Sequence, residues 1–472
     1  MAFLYRELAD HFTAEIKAGS LVAGAKMPSI RHVSKQRQLS INTVQKCFEL
    51  LEAQGYLIVK AQSGFYVRTA THALKESVFR PFEPQVESID NISLLNEIIS
   101  ASSDRSRLAL GTITLDVSLL PAKMLQRSLL RAMRSQPDTG LTYSPVCGEP
   151  ILLQALVEHF AQDAIHINTE QLIITNGVMQ ALSLAILSIS KPGDSIAVPT
   201  PCYSGQLLLL ANLERNIIEI PANSQGIDMQ VLEQVMASGD VAGALLSACY
   251  QNPLGYSLSI ADKRKIARWA EQYQCPVIED DVFGECGYKL DRPAPIKSWD
   301  KQGYVIWCAS FSKTLAPGYR IGWCASGRFT EQLQRQLLSR SLAVNAPLQL
   351  ALADFVNCGQ YRRHLNRLRV HLATQVDALY QSVSRHFSKD CRCSRPAGGY
   401  ALWLQLPEAV DAFGIYQKAL EKGINIVPGV VFSADQKYQN CLRLNAGNPW
   451  NEELDQGVKI LAELVRAINH SA

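Results

Sequence analysis

The chain has 472 residues, of which 47% are hydrophobic and 19% are charged. This length exceeds one ordinary core and predicts two or three globular domains. No apolar run approaches the roughly 18 residues that a membrane span needs, and the charged residues near the N-terminus argue against a secretory signal. We therefore expect a cytoplasmic protein without a membrane partner, with its twelve scattered cysteines reduced and no metal site.

The positive charge of the chain is concentrated at its N-terminus. Residues 1–68 contain nine Lys and Arg against five Asp and Glu, a net charge of +4, whereas the whole chain carries only +3. The remainder therefore has a net charge of −1. A basic head on a near-neutral body suits binding to a phosphate backbone.

Three helices and a strand pair are predicted in this head. Their boundaries are Leu4 to Ala18, Ser29 to Arg37 and Ser40 to Gln54 for the helices, and Tyr56–Val59 and Phe65–Val67 for the strands around Gln62-Ser63-Gly64. Ser29 and Ser40 are expected to be N-caps, because their hydroxyls can accept from free amides of the first turn. Gly19 and Gly55 are expected to end the first and third helices.

The third helix has two unlike faces. Val44, Phe48 and Leu51 recur at i, i+4 and i+7 and are predicted to face a core. The opposite face is polar. The second and third helices of the head are short and joined by a tight turn, an arrangement that would place the third helix in the major groove of DNA. The alternative is a helical cap for oligomerisation or docking.

Residues 4–68 resemble the GntR-type winged helix-turn-helix. The matching stretches are Gly24-Ala25-Lys26-Met27-Pro28-Ser29-Ile30-Arg31, Ser40-Ile41-Asn42-Thr43-Val44, Leu51-Glu52-Ala53-Gln54-Gly55-Tyr56 and Ser63-Gly64-Phe65-Tyr66-Val67. The resemblance implies a double-stranded DNA operator as partner, contacted by Ser29, Arg31, Ser40, Asn42, Thr43, Gln45, Lys46 and Gly64. Ile41 stands where the family often has Arg, so the operator need not look typical.

Residues 69–107 read as a linker. Apart from one short helical pattern at Ile92–Ser100, they show Pro81, Pro84 and little periodicity. A flexible chain of this length has an r.m.s. span of roughly 30–35 Å. The simplest interpretation is a disordered tether with no role beyond reach.

From residue 108 to 472, helical patterns alternate with short apolar runs, and we place a smaller subdomain at about residues 330–472. The predicted strands are Leu172–Thr175, Ser195–Val198, Ile217–Ile220, Gly243–Ser247, Val277–Glu279, Val305–Ala309 and Ile321–Ala325. This alternation indicates an α/β fold with a mostly parallel sheet covered by helices on both faces. Glu219 interrupts one run and suggests an edge strand. Ligands of such sheets collect at the carboxyl ends of the strands.

Polar motifs follow several of these strands. They are Tyr143-Ser144-Pro145-Val146-Cys147-Gly148, Asn176-Gly177-Val178, Pro201-Cys202-Tyr203-Ser204-Gly205, Gln251-Asn252-Pro253-Leu254-Gly255, Glu279-Asp280-Asp281-Val282-Phe283, Ser310-Phe311-Ser312-Lys313 with Arg320, and Leu442-Arg443-Leu444-Asn445. In this order they resemble fold-type I pyridoxal phosphate enzymes of the aspartate aminotransferase superfamily. The resemblance implies a large domain with a mostly parallel sheet and a smaller C-terminal α+β domain.

The resemblance also implies roles for these residues. Lys313, the catalytic residue, would bind pyridoxal 5′-phosphate as a Schiff base, and Asp280 would pair with the pyridine nitrogen. Asn252 would hydrogen-bond the ring hydroxyl oxygen and Tyr203 would stack on the ring. The carboxylate of an effector or substrate would bind Arg443. The implied phosphate ligands are Asn176, Gly177, Val178, Ser310, Ser312, Arg320 and the partner subunit's Tyr143.

One departure concerns Phe283, which stands where the superfamily usually has Tyr. Without that hydroxyl the ring oxygen is less stabilised, so the Schiff-base nitrogen should keep its proton to higher pH. We expect a changed absorption spectrum and slower catalysis, with the cofactor retained. Asp281 is expected to be a structural neighbour.

The order of parts resembles the MocR subfamily of GntR-type regulators. It implies a homodimeric transcription regulator whose body senses an amine, an amino acid or pyridoxal phosphate through aldimine chemistry. The alternative is a catalytically active aminotransferase that carries a DNA-binding head. A third possibility is an interaction scaffold with an idle cofactor.

Overall fold

The protein is described by a computed structural model. It covers residues 4–17, 20–22, 24–53, 56–60, 64–67, 74–78, 82–89, 92–101, 104, 106–289 and 291–469. Within these ranges, every helix is too short or too polar to cross a membrane.

The N-terminal head folds as three helices and a two-stranded sheet. Their bounds are Leu4–Lys17 (α1), Ile30–Arg37 (α2), Ile41–Ala53 (α3), Leu57–Lys60 (β1) and Gly64–Val67 (β2). Ser29 Oγ accepts from the His32 amide at 3.2 Å, and Ser40 Oγ from the Thr43 amide at 3.1 Å. These bonds confirm the predicted N-caps. The strand pair β1–β2 and the residues between its strands form the wing of the head. The predicted helix ends at Gly19 and Gly55 lie outside the described residues, as do Gln62 and Ser63 of the wing.

The apolar face of α3 is the centre of the head. Val44, Phe48 and Leu51 are fully buried, as predicted. The Phe48 ring packs edge-on against Phe12 of α1 at 5.8 Å and Phe65 of β2 at 5.1 Å between centroids. One aromatic side chain therefore joins helix and wing into a single small core.

The body is built on a nine-stranded sheet. Its strands are Val86–Glu87 (β3), Leu172–Thr175 (β5), Ser195–Thr200 (β6), Asn216–Asn223 (β7), Gly226–Ile227 (β8), Gly243–Leu246 (β9), Val277–Asp280 (β10), Val305–Ser310 (β11) and Gly322–Ala325 (β12). The order is β3-β7-β6-β9-β10-β11-β12-β5, with β8 paired to β7. Strands β7, β6, β9, β10 and β11 are parallel, and β12 is antiparallel to both neighbours. The mostly parallel sheet is confirmed.

Both faces of this sheet are buried. Along β11, Ile306 and Cys308 join one hydrophobic core, whereas Trp307 and Ala309 join a second. The helices of this part are Ala122–Ser135 (α5), Pro150–Ala161 (α6), Val178–Ile189 (α7), Ser204–Asn212 (α8), Met229–Ser238 (α9) and Ile260–Gln272 (α10). Side chains that alternate between two cores explain why these strands read as continuous apolar runs.

The edge position predicted from Glu219 is wrong. Strand β7 has β6 on one side and pairs with β3 on the other. Glu219 is 1% exposed. Its carboxylate accepts from the Ala434 amide at 2.9 Å and from Lys437 Nζ at 2.7 Å. A paired carboxylate can be buried in a covered strand, which the strand's own sequence does not show.

The C-terminal part adds a smaller sheet and five helices. Their bounds are Thr330–Arg340 (α11), Ala346–Asn357 (α12), Gln360–His386 (α13), Ala412–Glu421 (α14), Glu452–Asn469 (α15), Arg392–Cys393 (β13), Ala401–Gln405 (β14), Ile424–Asn425 (β15), Val427–Pro428 (β16) and Cys441–Asn445 (β17). The antiparallel order is β13-β14-β17-β16. Strand β15 pairs in parallel with Leu108–Ala109 (β4), which ties the start of the body to this part.

The described residues of the linker are docked on the body. Strand β3 extends the large sheet, and helix α4 (Ile92–Ala101) buries Leu95 and Ile98. The amide of Leu74 donates to the Tyr380 hydroxyl at 3.2 Å. The predicted short helix is confirmed, but a disordered tether is wrong for these residues, because their apolar side chains find a surface to cover.

Candidate functional site

One cavity of about 350 Å³ lies at the carboxyl ends of the parallel strands. The residues predicted for the cofactor or effector that line it are Val178, Tyr203, Asn252, Asp280, Phe283, Ser312, Lys313, Arg320 and Arg443. Asn176, Gly177 and Ser310 adjoin it through the contacts described below. The fold therefore brings together residues that are separated by up to 265 positions in the chain.

Lys313 supplies the amine of the cavity. It follows β11 in a single helical turn, and its Nζ donates to the Ile113 carbonyl at 2.8 Å. Desolvation by the surrounding protein lowers the pKa of Lys313 to about 8, and the nearby positive charge of Arg443 acts in the same direction. A larger fraction of the amine is therefore neutral, and able to attack a carbonyl, than for an ordinary lysine.

Asp280 supplies a buried carboxylate at the end of β10. Its Oδ2 accepts from Gln206 Nε2 at 2.7 Å and its Oδ1 from the Val282 amide at 3.2 Å. Burial raises the pKa of Asp280 to about 6, and these two hydrogen bonds oppose that rise. Above this pKa the carboxylate can pair with a protonated ring nitrogen.

Arg443 lies on β17 and lines the same cavity as Asp280 of β10. Its Nη2 donates to the Gly111 carbonyl at 2.7 Å and its Nη1 to Asn252 Oδ1 at 3.3 Å. Its Nε is buried and has no hydrogen-bond partner among the described residues. Burial lowers the pKa of Arg443 to about 10. A buried cation with a spare donor suits a carboxylate ligand.

A cradle for an anion forms where α7 begins. Gly177 has φ +81° and precedes the helix, and a Cβ there would lie 2.5 Å from Arg320 Nη2. Arg320 also approaches Ser312 Oγ and the Asn176 carbonyl, both at 3.5 Å. Ser310 Oγ accepts from the Ser312 amide at 3.3 Å and fixes this turn. Helix amides, hydroxyls and a guanidinium together suit a phosphate dianion.

These groups fit pyridoxal phosphate as a set. The cavity presents an amine for its aldehyde, a carboxylate for its ring nitrogen, a cradle for its phosphate and an aromatic ring, Tyr203, beside them. A Cβ at Gly205 would meet the Tyr203 ring at 2.5 Å, so this glycine lets the ring lie close to α8. The donor set and the two glycines thus match both the shape and the charges of the cofactor.

Phe283 and Asp281 occupy different environments. The Phe283 ring lies in the cavity wall, 5.8 Å from Lys313 Nζ, and packs edge-on against Tyr400. Asp281 points away from the cavity, where its carboxylate pairs with Arg292 and accepts from Trp307 Nε1 at 2.8 Å. The sequence-based interpretation of Asp281 as a structural neighbour agrees with these contacts.

The structure does not bring Tyr143 into the cavity of its own chain. Its side chain is 85% exposed, and it is absent from the cavity lining. A contribution from a second subunit remains the prediction for this residue.

The motifs missed several residues of the site. Gln206 holds Asp280, and other parts of the lining come from Ile98, Thr112, Ile113 and Thr114. Gln206 lies one helical turn after Tyr203, a spacing that could have indicated it. No periodicity or motif marks the segment from Thr112 to Thr114.

Most of the residues predicted to contact DNA are exposed on the head. Arg31, Asn42, Gln45 and Lys46 are exposed, and Thr43 is half-buried and bonded to Ser40. At the wing, Gly64 has φ +101°, which favours glycine. Recognition-helix and wing residues are thus accessible, as a groove-reading surface requires.

Two family matches cover most of the chain. Residues 4–67 match the bacterial regulatory proteins of the gntR family, and residues 108–461 match aminotransferase class I and II. YdcR of Escherichia coli, an uncharacterized HTH-type transcriptional regulator, is 33% identical over 463 residues, which cover 98% of this chain and 99% of that protein.

Solved structures similar to the body include aminotransferases. The multiple substrate aminotransferase of Thermococcus profundus has a TM-score of 0.75 and 25% identity, covering 80% of this chain and 96% of that chain. The kynurenine aminotransferase of Pyrococcus horikoshii, solved in complex with PMP, has a TM-score of 0.73 and 26% identity, covering 79% and 94%. The predicted fold-type I transferase fold is confirmed, and the cofactor of this body is pyridoxal 5′-phosphate. The chain therefore belongs to the GntR-type transcription regulators with an aminotransferase class I and II domain, the MocR-type architecture.

Proposed function

We propose that the body senses a primary amine, an amino acid or pyridoxal phosphate itself, and thereby controls binding of the head to a double-stranded DNA operator. The observation that carries this proposal is the joint presence of Lys313, Asp280 and Arg443 in one cavity of a chain with a GntR-type head.

Each residue would have a distinct task at the cofactor. Bound in the cavity, pyridoxal phosphate supplies an aldehyde that condenses with amines and a ring that withdraws electrons. Lys313 would hold the cofactor and give it up to an incoming amine. Asp280 would keep the proton on the ring nitrogen, and Asn252 would donate to the ring oxygen. Arg320 and Ser312 would hold the phosphate.

Coupling to the head requires that the ligand prefer one arrangement of the body. Arg443 stands on a strand of the smaller sheet, and Lys313 stands in the helical turn that follows strand β11 of the larger sheet. A ligand that joins its carboxylate to Arg443 and its nitrogen to the cofactor would therefore stabilise closure of the two parts. The change in DNA binding cannot exceed the difference in ligand affinity between the two arrangements.

The proposal includes a homodimer in the cytoplasm. Large apolar side chains that stand exposed on the body support a self-association surface; they include Val117, Leu130, Leu141 and Ile151. Tyr143 is exposed as well, and in this proposal the partner subunit's Tyr143 would complete the phosphate cradle.

A working aminotransferase is the second candidate. It is favoured by the full set of Lys313, Asp280, Asn252 and Arg443 in the cavity, which suffices to bind an amino acid and move a proton. Phe283, which lacks the usual hydroxyl, argues against rapid turnover.

The deciding experiment is the visible absorption spectrum of the full-length protein during titration with amines and amino acids. We expect one ligand to shift the cofactor band to a species that persists, and the same ligand to change the Kd for operator DNA. Lys313→Ala should abolish the spectral shift but leave basal DNA binding intact. A band that bleaches to pyridoxamine phosphate and returns on adding a keto acid would identify an aminotransferase instead.

A further inference from the structure

The part of the cavity beyond the cofactor-binding residues has a wall of mostly apolar side chains. Its members are Ile98, Thr112, Ile113, Thr114, Met179 and Val427. We propose that this wall receives the side chain of the effector, that the effector is an α-amino acid with a neutral, apolar side chain, and that Ile98 selects it. This inference rests on the proposed sensing function.

The charges of the cavity lead to this ligand class. Its charged lining residues are Asp280, Lys313, Arg320 and Arg443, and the cofactor and the α-carboxylate of the ligand use all four. The rest of the lining is apolar, aromatic, hydroxyl, thiol or amide. A carboxylate or ammonium group on the ligand side chain would therefore lose its hydration without gaining an ion-pair partner in this cavity.

Ile98 is held in this wall by a hydrogen bond at the end of its helix. Asn425 Nδ2 donates to the Ala101 carbonyl at 3.2 Å, so the last turn of α4 is fixed to β15. Val427, two residues beyond Asn425, also lines the cavity. Ile98 itself is 2% exposed. The side chain is thus rigidly placed and cannot move aside at little cost for a larger or charged group.

The same wall lies beside the carboxylate-binding arginine. Arg443 donates to the Gly111 carbonyl, and a Cβ at Gly111 would lie 2.7 Å from the carbonyl carbon of Ile426. Gly111, which leads to Thr112 and Ile113, is therefore packed between Arg443 and Ile426, the residue before Val427. A ligand bound to Arg443 through its carboxylate would therefore direct its side chain toward this wall, of which Ile98 is a part.

Amino acids of matched size test the ligand class. We would titrate the full-length protein, loaded with pyridoxal phosphate, with L-leucine, L-glutamate, L-lysine and 3-methylbutylamine, and follow the visible absorption. L-Leucine should half-saturate the shift at a concentration at least about tenfold below that of either charged amino acid. It should also bind better than 3-methylbutylamine, which lacks the carboxylate.

Variants of α4 test the role of Ile98. Ile98→Ala should weaken L-leucine about tenfold, because a hydrophobic contact is lost, and Ile98→Lys should reverse the preference in favour of L-glutamate. The exposed Asn96 on the same helix provides the control, since Asn96→Ala should leave all affinities unchanged. Thermal unfolding would show whether each variant is folded. If Ile98→Lys does not fold, Ile98→Ala alone provides the test.

The possible outcomes distinguish a failure of this inference from a failure of the proposed sensing function. Equal affinity for L-leucine and L-glutamate, or a preference that Ile98→Ala and Ile98→Lys leave unchanged, would overturn the inference while sensing stands. If no amine or amino acid shifts the spectrum, both the inference and the sensing function are overturned.

Discussion

Phe283 gives the cofactor cavity an aromatic ring without a hydroxyl. The ring is 5.8 Å from Lys313 Nζ and is fixed by its edge-on contact with Tyr400. The Tyr400 hydroxyl is directed elsewhere, to the Lys313 carbonyl at 3.5 Å. The ring oxygen of the cofactor would therefore lack a phenolic donor from Phe283.

Phe283→Tyr should lower the pKa of the nitrogen that joins Lys313 to the cofactor. The added hydroxyl would stabilise the ring phenolate, which then holds the nearby proton less strongly. A pH titration of the visible absorption should show the transition at lower pH in this variant. Phe283→Leu adds no hydroxyl and should keep the parental transition; an equal shift in both variants would contradict the explanation.

Gln206→Leu should make cofactor binding more dependent on pH. The amide of Gln206 stabilises the Asp280 carboxylate, whose pKa burial already raises to about 6. Without this donor the pKa rises further, so more Asp280 is protonated at neutral pH and cannot pair with the ring nitrogen. We expect weaker binding of pyridoxal phosphate at pH 6.5 and near-parental binding at pH 8.5, measured by fluorescence titration. An equal loss at both pH values would indicate a steric effect.

The individual site residues were predictable to the extent that motifs carry them. Lys313 and Asp280 stand in sequence motifs directly after strands, and the structure brings them into one cavity. Gln206 is 74 positions from the carboxylate that it holds. The sequence around Gln206 does not predict its contact with Asp280, because a contact of this kind depends only on the tertiary fold.

At the level of elements, Lys437 fastens the linker strand to the body. Its Nζ lies 2.7 Å from Glu219 of β7, 3.0 Å from Glu87 of β3 and 2.9 Å from Asp435. It is also 4.4 Å from the ring centroid of Phe82. One ammonium thus contacts three carboxylates from separate parts of the chain.

Lys437→Met should destabilise the protein most at high pH. Burial raises the pKa of Glu219, and the loss of Lys437 removes the charge that opposes this rise. Because the folded-state pKa is raised, stability is lost as the pH increases through it. Urea unfolding should show a loss of about 3 kcal/mol at pH 8 and a smaller loss at pH 5. The double variant with Glu219→Gln should recover most of the difference; if it does not, the ion pair is not the cause.

The prediction of elements succeeded where the signal was local. Ser29 and Ser40 cap helices within three residues of themselves, so the sequence shows both partners. By sequence alone Glu219 indicates an edge strand, because its partner Lys437 is 218 positions away. The linker sequence by itself indicates disorder, because the surface that Leu95 covers belongs to other elements.

On the scale of the whole molecule, Arg31→Ala should weaken operator binding without affecting the cofactor. Arg31 is exposed on α2, and a lost phosphate contact should reduce the salt dependence of log K by about 1. Fluorescence anisotropy at several salt concentrations would measure this slope. Arg335→Ala removes an equal charge from the exposed surface of the body and should leave the slope unchanged. Equal effects of the two variants would contradict a specific role of Arg31.

The docked linker limits how far the head can travel. Val67 ends the wing, and Leu74, bonded to Tyr380, is already attached to the body. Seven residues of fully extended chain span at most about 25 Å, less than the reach of a free linker of the full length. In the proposed homodimer, the positions of the two Leu74 residues would then set the distance between operator half-sites. Inserting about five base pairs between half-sites, half a turn of DNA, would put one groove out of reach of its head.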